Sequence, residues 1–157
     1  MRAAHEYPWI EQTEQEIVHQ LFSIRWTTGC TFTRLHGHLD DSSRVREQID
    51  TWARTLVEII PQTGHAHVSL LDTTSLGEIP RELWLDLAKM VHQLPRKPMR
   101  RAVMTADGWR GDNQAQTGQL ITAGHIRVFG PDEREAMIRW ASQAGTIDVY
   151  RLRALVD

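Results

Sequence analysis

Cysteine is almost missing from this chain: Cys30 is the only one in 157 residues. No disulfide can form within it, and the cytoplasm is the simplest expected location. No run approaches the ~18 apolar residues of a membrane helix, so membrane insertion is not expected. Neither charge sign dominates, with 18 Lys and Arg against 20 Asp and Glu. A net charge of −2 gives no electrostatic reason to expect nucleic acid or a membrane surface as partner. The first ten residues carry Glu6 and Pro8 and no apolar core, which argues against a secretory signal. Three nucleotide and nucleophile signatures are also missing: GxGxxG, GxxxxGK followed by Ser or Thr, and GxSxG.

What remains is ordinary for a globular protein: 41% hydrophobic and 24% charged residues, with no repeat, linker or composition break. One domain over residues 1–157 is expected. Six tryptophans are a high count for this length and read as large core and groove-filling side chains.

The organising stretch is His67-Val68-Ser69-Leu70-Leu71-Asp72-Thr73-Thr74-Ser75. A short apolar run closed by polar turn residues predicts a buried strand, here the central strand of an α/β layer structure. In open α/β sheets the functional crevice lies at the carboxyl ends of the strands. Asp72, Thr73, Thr74 and Ser75 sit at that end and form the candidate site. The hydroxyls could hold an anion, accept a phosphate, or simply satisfy local backbone donors as turn residues do.

On either side, the pattern predicts alternating elements. Thr13-Glu14-Gln15-Glu16 fits a capping box, and Ile17, Val18, Leu21 and Phe22 follow at helical spacing, so a short helix is expected; a strand over Ile17–Trp26 competes. Ile24–Thr27 and Thr31–His38 read as a hairpin turning at Thr28-Gly29-Cys30, with a bulge near Gly37. Asp40-Asp41-Ser42-Ser43 caps a long helix with Val45, Ile49, Trp52, Ala53, Leu56, Val57 and Ile60 on one face. After the central strand, Pro80 starts a helix buried through Leu83, Trp84, Leu87, Ala88 and Val91. Ala102–Thr105 and His125–Phe129 are core strands. A weak helix is expected between Asp112 and Ile121. Pro131-Asp132-Glu133 opens a helix with Ala136, Met137, Trp140 and Ala141 inward.

Other strings carry residue types that could do chemistry. His36-Gly37-His38-Leu39-Asp40-Asp41 could pair two histidines on a metal and approaches the HxHxDH string of metallo-β-lactamase-type hydrolases, but Asp41 stands where the last histidine belongs. A metal-dependent hydrolase is therefore the remote alternative, and no metal is expected. His65 and His67 form a second HxH at the opposite end of the central strand. Cys30 reads as a small inert side chain. Arg96-Lys97-Pro98-Met99-Arg100-Arg101, with Arg110, reads as a solvated connector before it reads as a phosphate site.

Arg34-Leu35-His36-Gly37-His38-Leu39-Asp40, followed by the long helix, resembles the second strand of STAS domains, named for sulfate transporters and anti-sigma-factor antagonists. Leu70-Leu71-Asp72 resembles the next strand. Residues 126–140, from Ile126 through Phe129, Glu133 and Ala136 to Trp140, resemble the closing strand and helix of bacterial SpoIIAA-like (STAS/SEC14-like) proteins. The likeness covers about residues 24–142, with residues 1–23 as an extension and 143–157 as a tail. It implies an α/β fold with a mixed, mostly parallel sheet of four to five strands and helices packed against it. It also implies a non-enzymatic regulatory or scaffolding role, with no cofactor and a protein partner held at Asp72–Ser75; Glu78, Arg81 and Glu82 on the next helix would add specificity. Antagonists are phosphorylated on a serine in a DSSG turn. Here Thr73-Thr74-Ser75-Leu76-Gly77 lacks the second acid and the paired serines, and Ser75 is the nearest candidate. The SEC14-like branch implies instead a carrier of an apolar or lipid-like ligand, in a groove lined by Trp84, Asp107, Trp109 and Leu120. A homodimer would also be compatible.

Overall fold

Six strands hydrogen-bond in chain order, β1-β2-β3-β4-β5-β6, in the computed structural model. It describes residues 14–37, 43–76, 81–94, 96–106 and 126–157. The strands are β1 Gln15–Val18, β2 Phe22–Thr27, β3 Cys30–Leu35, β4 Val68–Asp72, β5 Arg101–Met104 and β6 Ile126–Phe129. The first three form an antiparallel meander, and β3 to β6 run parallel. The α/β class expected from the sequence is therefore present, as a six-stranded mixed sheet with four helices among the described residues.

The helices are α1 Ser43–Ile59, α2 Arg81–His92, α3 Arg134–Ser142 and α4 Val149–Val156. They divide between the two faces of the sheet. In a strand, alternate side chains point to opposite faces, so the odd and even positions of β3, β4 and β5 feed separate cores. Leu35, Leu71 and Val103 join Val45, Ile49, Trp52 and Leu56 of α1 and Leu87 of α2. Cys30, Phe32, Val68, Leu70, Ala102 and Met104 join Met137 and Ile138 of α3 and Leu152 and Leu155 of α4. Strands buried on both faces carry near-continuous apolar runs, which is why Val68–Leu71 shows no alternation. Both α1 and α2 lie on one face, as consecutive parallel strands joined by crossovers of one hand require.

Several boundaries and one element differ from expectation. The helix expected from the Thr13 capping box is strand β1 where it is described. Its four residues pair with β2, and Glu16 bonds Arg25 across the pair at 2.7 Å. A four-residue apolar pattern cannot separate the two periods, and an available sheet edge decided for the strand. This strand also takes the sheet past the expected four to five. Gly37 lies beyond β3 and makes no bulge in it. Cys30 is wholly buried in β3, so the hairpin turn is the two residues Thr28-Gly29. In α3 the buried residues are Met137, Ile138 and Ala141, whereas Ala136 faces solvent. The last residues fold as α4, capped by Asp148, whose Oδ1 accepts from the Arg151 N–H at 2.8 Å. Leu152 and Leu155 are fully buried, so the core extends past residue 142. The expected helix near 112–121 lies outside the described residues.

Candidate functional site

The loop after β4 is built by its own polar side chains. Asp72 Oδ1 accepts from the Thr74 N–H at 2.9 Å and from the Thr74 hydroxyl at 2.6 Å, an Asx turn closed twice. Thr73 is fully buried, and both its N–H and its hydroxyl donate to the Met104 carbonyl, at 2.8 and 2.9 Å. Ser75 is exposed, yet its hydroxyl donates to the Leu35 carbonyl at 2.9 Å. Thus each hydroxyl of the run is engaged, and together they tie the ends of β3, β4 and β5 into one rim. The local turn role accounts for the Asp72–Thr74 bonds, whereas Thr73 and Ser75 donate to carbonyls on β5 and β3.

The second oxygen of Asp72 faces Arg34, with Nε to Oδ2 at 3.6 Å. The two are register partners on neighbouring parallel strands, which places both side chains on the α3–α4 face. Arg34 also stacks its guanidinium 5.3 Å from the Phe32 ring centre and reaches the Val156 carbonyl at 3.4 Å. Beside this pair lies a cleft of about 130 Å³. Asp72, Thr74 and Arg134 give its polar side; Phe32, Met104, Met137 and Val156 give its apolar side. Arg134 is aligned by the turn before α3, where the Gly130 N–H donates to Glu133 Oε1 at 2.9 Å, and it pairs with Asp157. The arrangement sets two ion pairs, Arg34–Asp72 and Arg134–Asp157, at the edge of an apolar floor. It can recognise a mixed polar and apolar surface feature. At about 130 Å³ it is smaller than the ~300–1,000 Å³ pockets that enclose a small-molecule ligand.

Sequence reasoning named Asp72 to Ser75 and missed Arg34 and Arg134 as their neighbours. Arg34 was readable in principle as the charged end of a strand parallel to β4; Arg134 enters only because α3 crosses the other face. Of the groove expected for an apolar ligand, Asp107, Trp109 and Leu120 lie outside the described residues. Trp84 falls in α2, and its side chain lies outside them too, as do Glu78 and the side chains of Arg81 and Glu82. His38, Asp40 and Asp41 of the metal string are likewise outside. His36 closes the carboxyl end of β3, with its N–H on the Leu21 carbonyl at 2.9 Å, whereas His67 precedes β4 at the amino end. Parallel pairing of β3 and β4 therefore holds His36 and His67 at opposite ends of the sheet. Among the described residues no three His, Cys, Asp or Glu side chains gather as metal ligands would.

In the basic stretch Lys97 and Met99 are exposed as a solvated connector requires and Arg110 lies outside the described residues, but three arginines are tied down instead. Arg96 donates to the carbonyls of Gly64 at 2.5 Å and Ile60 at 2.8 Å and to the Thr63 hydroxyl at 2.7 Å. Arg100 donates to the Trp140 carbonyl at 2.5 Å and stacks on that indole. Arg101 is buried. Short strands leave these residues at the sheet's lower rim, where helix ends present unsatisfied carbonyls. Among the described residues no helix is long and apolar enough to cross a membrane. No family model, curated protein or solved structure matches the chain.

Proposed function

We propose that this chain is a non-enzymatic regulatory or scaffolding domain of the SpoIIAA-like, STAS type, acting in the cytoplasm by binding a protein partner through the Asp72–Ser75 loop. The observation that carries this reading is the loop's construction: Asp72 and Thr74 close the turn, Thr73 ties it to β5, and Ser75 follows, exposed, where Asp72 and Thr74 line the cleft beside Arg134. A surface element held in one shape loses little conformational entropy on docking. The parallel order of β3 to β6 with α1 and α2 on one face supports the α/β part of this reading, in a sheet of six strands rather than four to five. Phosphorylation of Ser75 would remove its bond to the Leu35 carbonyl and add ~1.5 to 2 negative charges next to Asp72.

The test is quantitative affinity capture with the full chain as bait, comparing wild type, Ser75→Glu and Arg54→Glu. Arg54 is exposed on α1, in the half of the helix that leads to the amino end of β4. A partner held equally by wild type and Arg54→Glu, and at least about tenfold more weakly by Ser75→Glu with its circular dichroism unchanged, supports the proposal. Unchanged retention by Ser75→Glu refutes it.

A further inference from the structure

At the amino end of the sheet, away from the Asp72 loop, three basic side chains converge without a carboxylate among the described residues. Arg101 opens β5 on the α1–α2 face, where its register partner on β4 is Ser69. His67 lies two positions before Ser69 and so on the same face. Arg96 reaches the His67 ring, Nη2 to Nδ1 at 3.3 Å. Arginine only donates, so Nδ1 accepts and the neutral ring carries its proton on Nε2.

The cluster keeps buried donors that find no acceptor. Arg101 is 8% exposed, and its Nε has no hydrogen-bond partner. No described residue forms an ion pair with it. Arg96 spends its two terminal nitrogens on the carbonyls after α1 and the Thr63 hydroxyl, and its Nε is likewise buried without a partner. A buried guanidinium without a bonded acceptor is a costly arrangement that proteins otherwise avoid. Burial pushes Arg101 down to about 10, and burial, followed by the nearby Arg96 and Arg101 guanidinium groups, pushes His67 down to about 4.

We propose that Arg101, the Nε of Arg96 and the Nε2 of His67 form a binding site for a small oxyanion of the phosphate class. Two fixed positive charges match a dianion better than a monocarboxylate. The guanidinium fork of Arg101 suits two oxygens of one phosphate, and a neutral imidazole adds one N–H without adding charge. The site is separate from the loop proposed to bind a partner.

The test is calorimetric titration of the full chain, purified in phosphate-free buffer, with inorganic phosphate near neutral pH at constant ionic strength. Acetate is titrated in parallel. Wild type should bind phosphate saturably at a single site and acetate at least about tenfold more weakly. Arg101→Met, which keeps the apolar stem, should abolish the heat. If that variant does not fold, Arg101→Lys serves, because it keeps the charge and loses the fork; phosphate affinity should fall at least about tenfold. No saturable heat in wild type, or unchanged affinity in the variant that folds, overturns the site. Equal binding of acetate overturns the dianion assignment.

Discussion

His67 shows how one buried ring can tie stability to pH. It is 2% exposed and held at about 4 against 6.5 for a free ring, first by burial and then by Arg96 and Arg101. On acidification the unfolded chain therefore takes up this proton before the folded chain does. The contribution of a neutral His67 is complete above pH 6.5 and is lost as pH falls from 6.5 toward 4. One such proton gives a slope of up to ~1.4 kcal/mol per pH unit. His67→Gln keeps an acceptor for Arg96 and removes the titration. Chemical denaturation of both proteins across this window should show a flatter profile for the variant; parallel profiles would show that the ring does not titrate as described. Thr33 makes a second residue-scale point. Its hydroxyl accepts from the buried Trp52 indole N–H at 3.0 Å, so a polar residue in the middle of β3 is explained by a helix packed above it. Nothing in the neighbouring sequence announces that pairing.

At the scale of the element, the β2–β3 turn depends on a glycine for two separate reasons. Gly29 has φ of 85°, and a Cβ there would stand 1.9 Å from the Thr146 carbonyl oxygen. Thr146 also donates its hydroxyl to the Gly29 carbonyl at 2.8 Å, so the turn serves as a dock for the α3–α4 connection. Gly145 has nearly the same φ, 84°, but open space around its Cβ position. Gly145→Ala should cost ~1 kcal/mol, the strain of the left-handed backbone alone. Gly29→Ala should cost at least ~3 kcal/mol, because the clash with backbone adds to that strain. Urea denaturation midpoints check the pair, and equal losses would show that Thr146 yields freely. The hairpin itself was readable, since Gly29 sits between two apolar runs. The docking of Thr146, 117 positions away, was not. The N-terminal pattern fails for a related reason: Ile17 and Val18 satisfy both a helix and a strand period, and only the neighbouring edge of β2 separates them.

Across the whole molecule, two cores share one sheet, and α4 closes the second. Cys30 lies beneath it, fully buried, with its thiol pushed up by burial, so almost no thiolate is present at neutral pH. Leu152 is also fully buried in the same core. Leu152→Ala should destabilise the chain by ~2–5 kcal/mol and speed labelling of Cys30 by a thiol reagent, since local opening then becomes easier. Labelling at the wild-type rate would show that α4 does not guard this thiol. Such a role was not legible in residues 146–157, where eight helical positions mix exposed Tyr150 with buried Leu152, Leu155 and Val156.

By itself the sequence determined the local units: an apolar strand ending at Asp72, a long amphipathic helix before it, and turns at glycine and proline. These follow from hydrophobic period and backbone allowance, which are short-range. The partners were decided by tertiary structure alone. Which helix covers which face set Arg34 and Arg134 beside Asp72, and parallel register set Arg101 next to His67. Both juxtapositions join residues far apart in the chain, and a pattern confined to neighbouring positions carries no information about them.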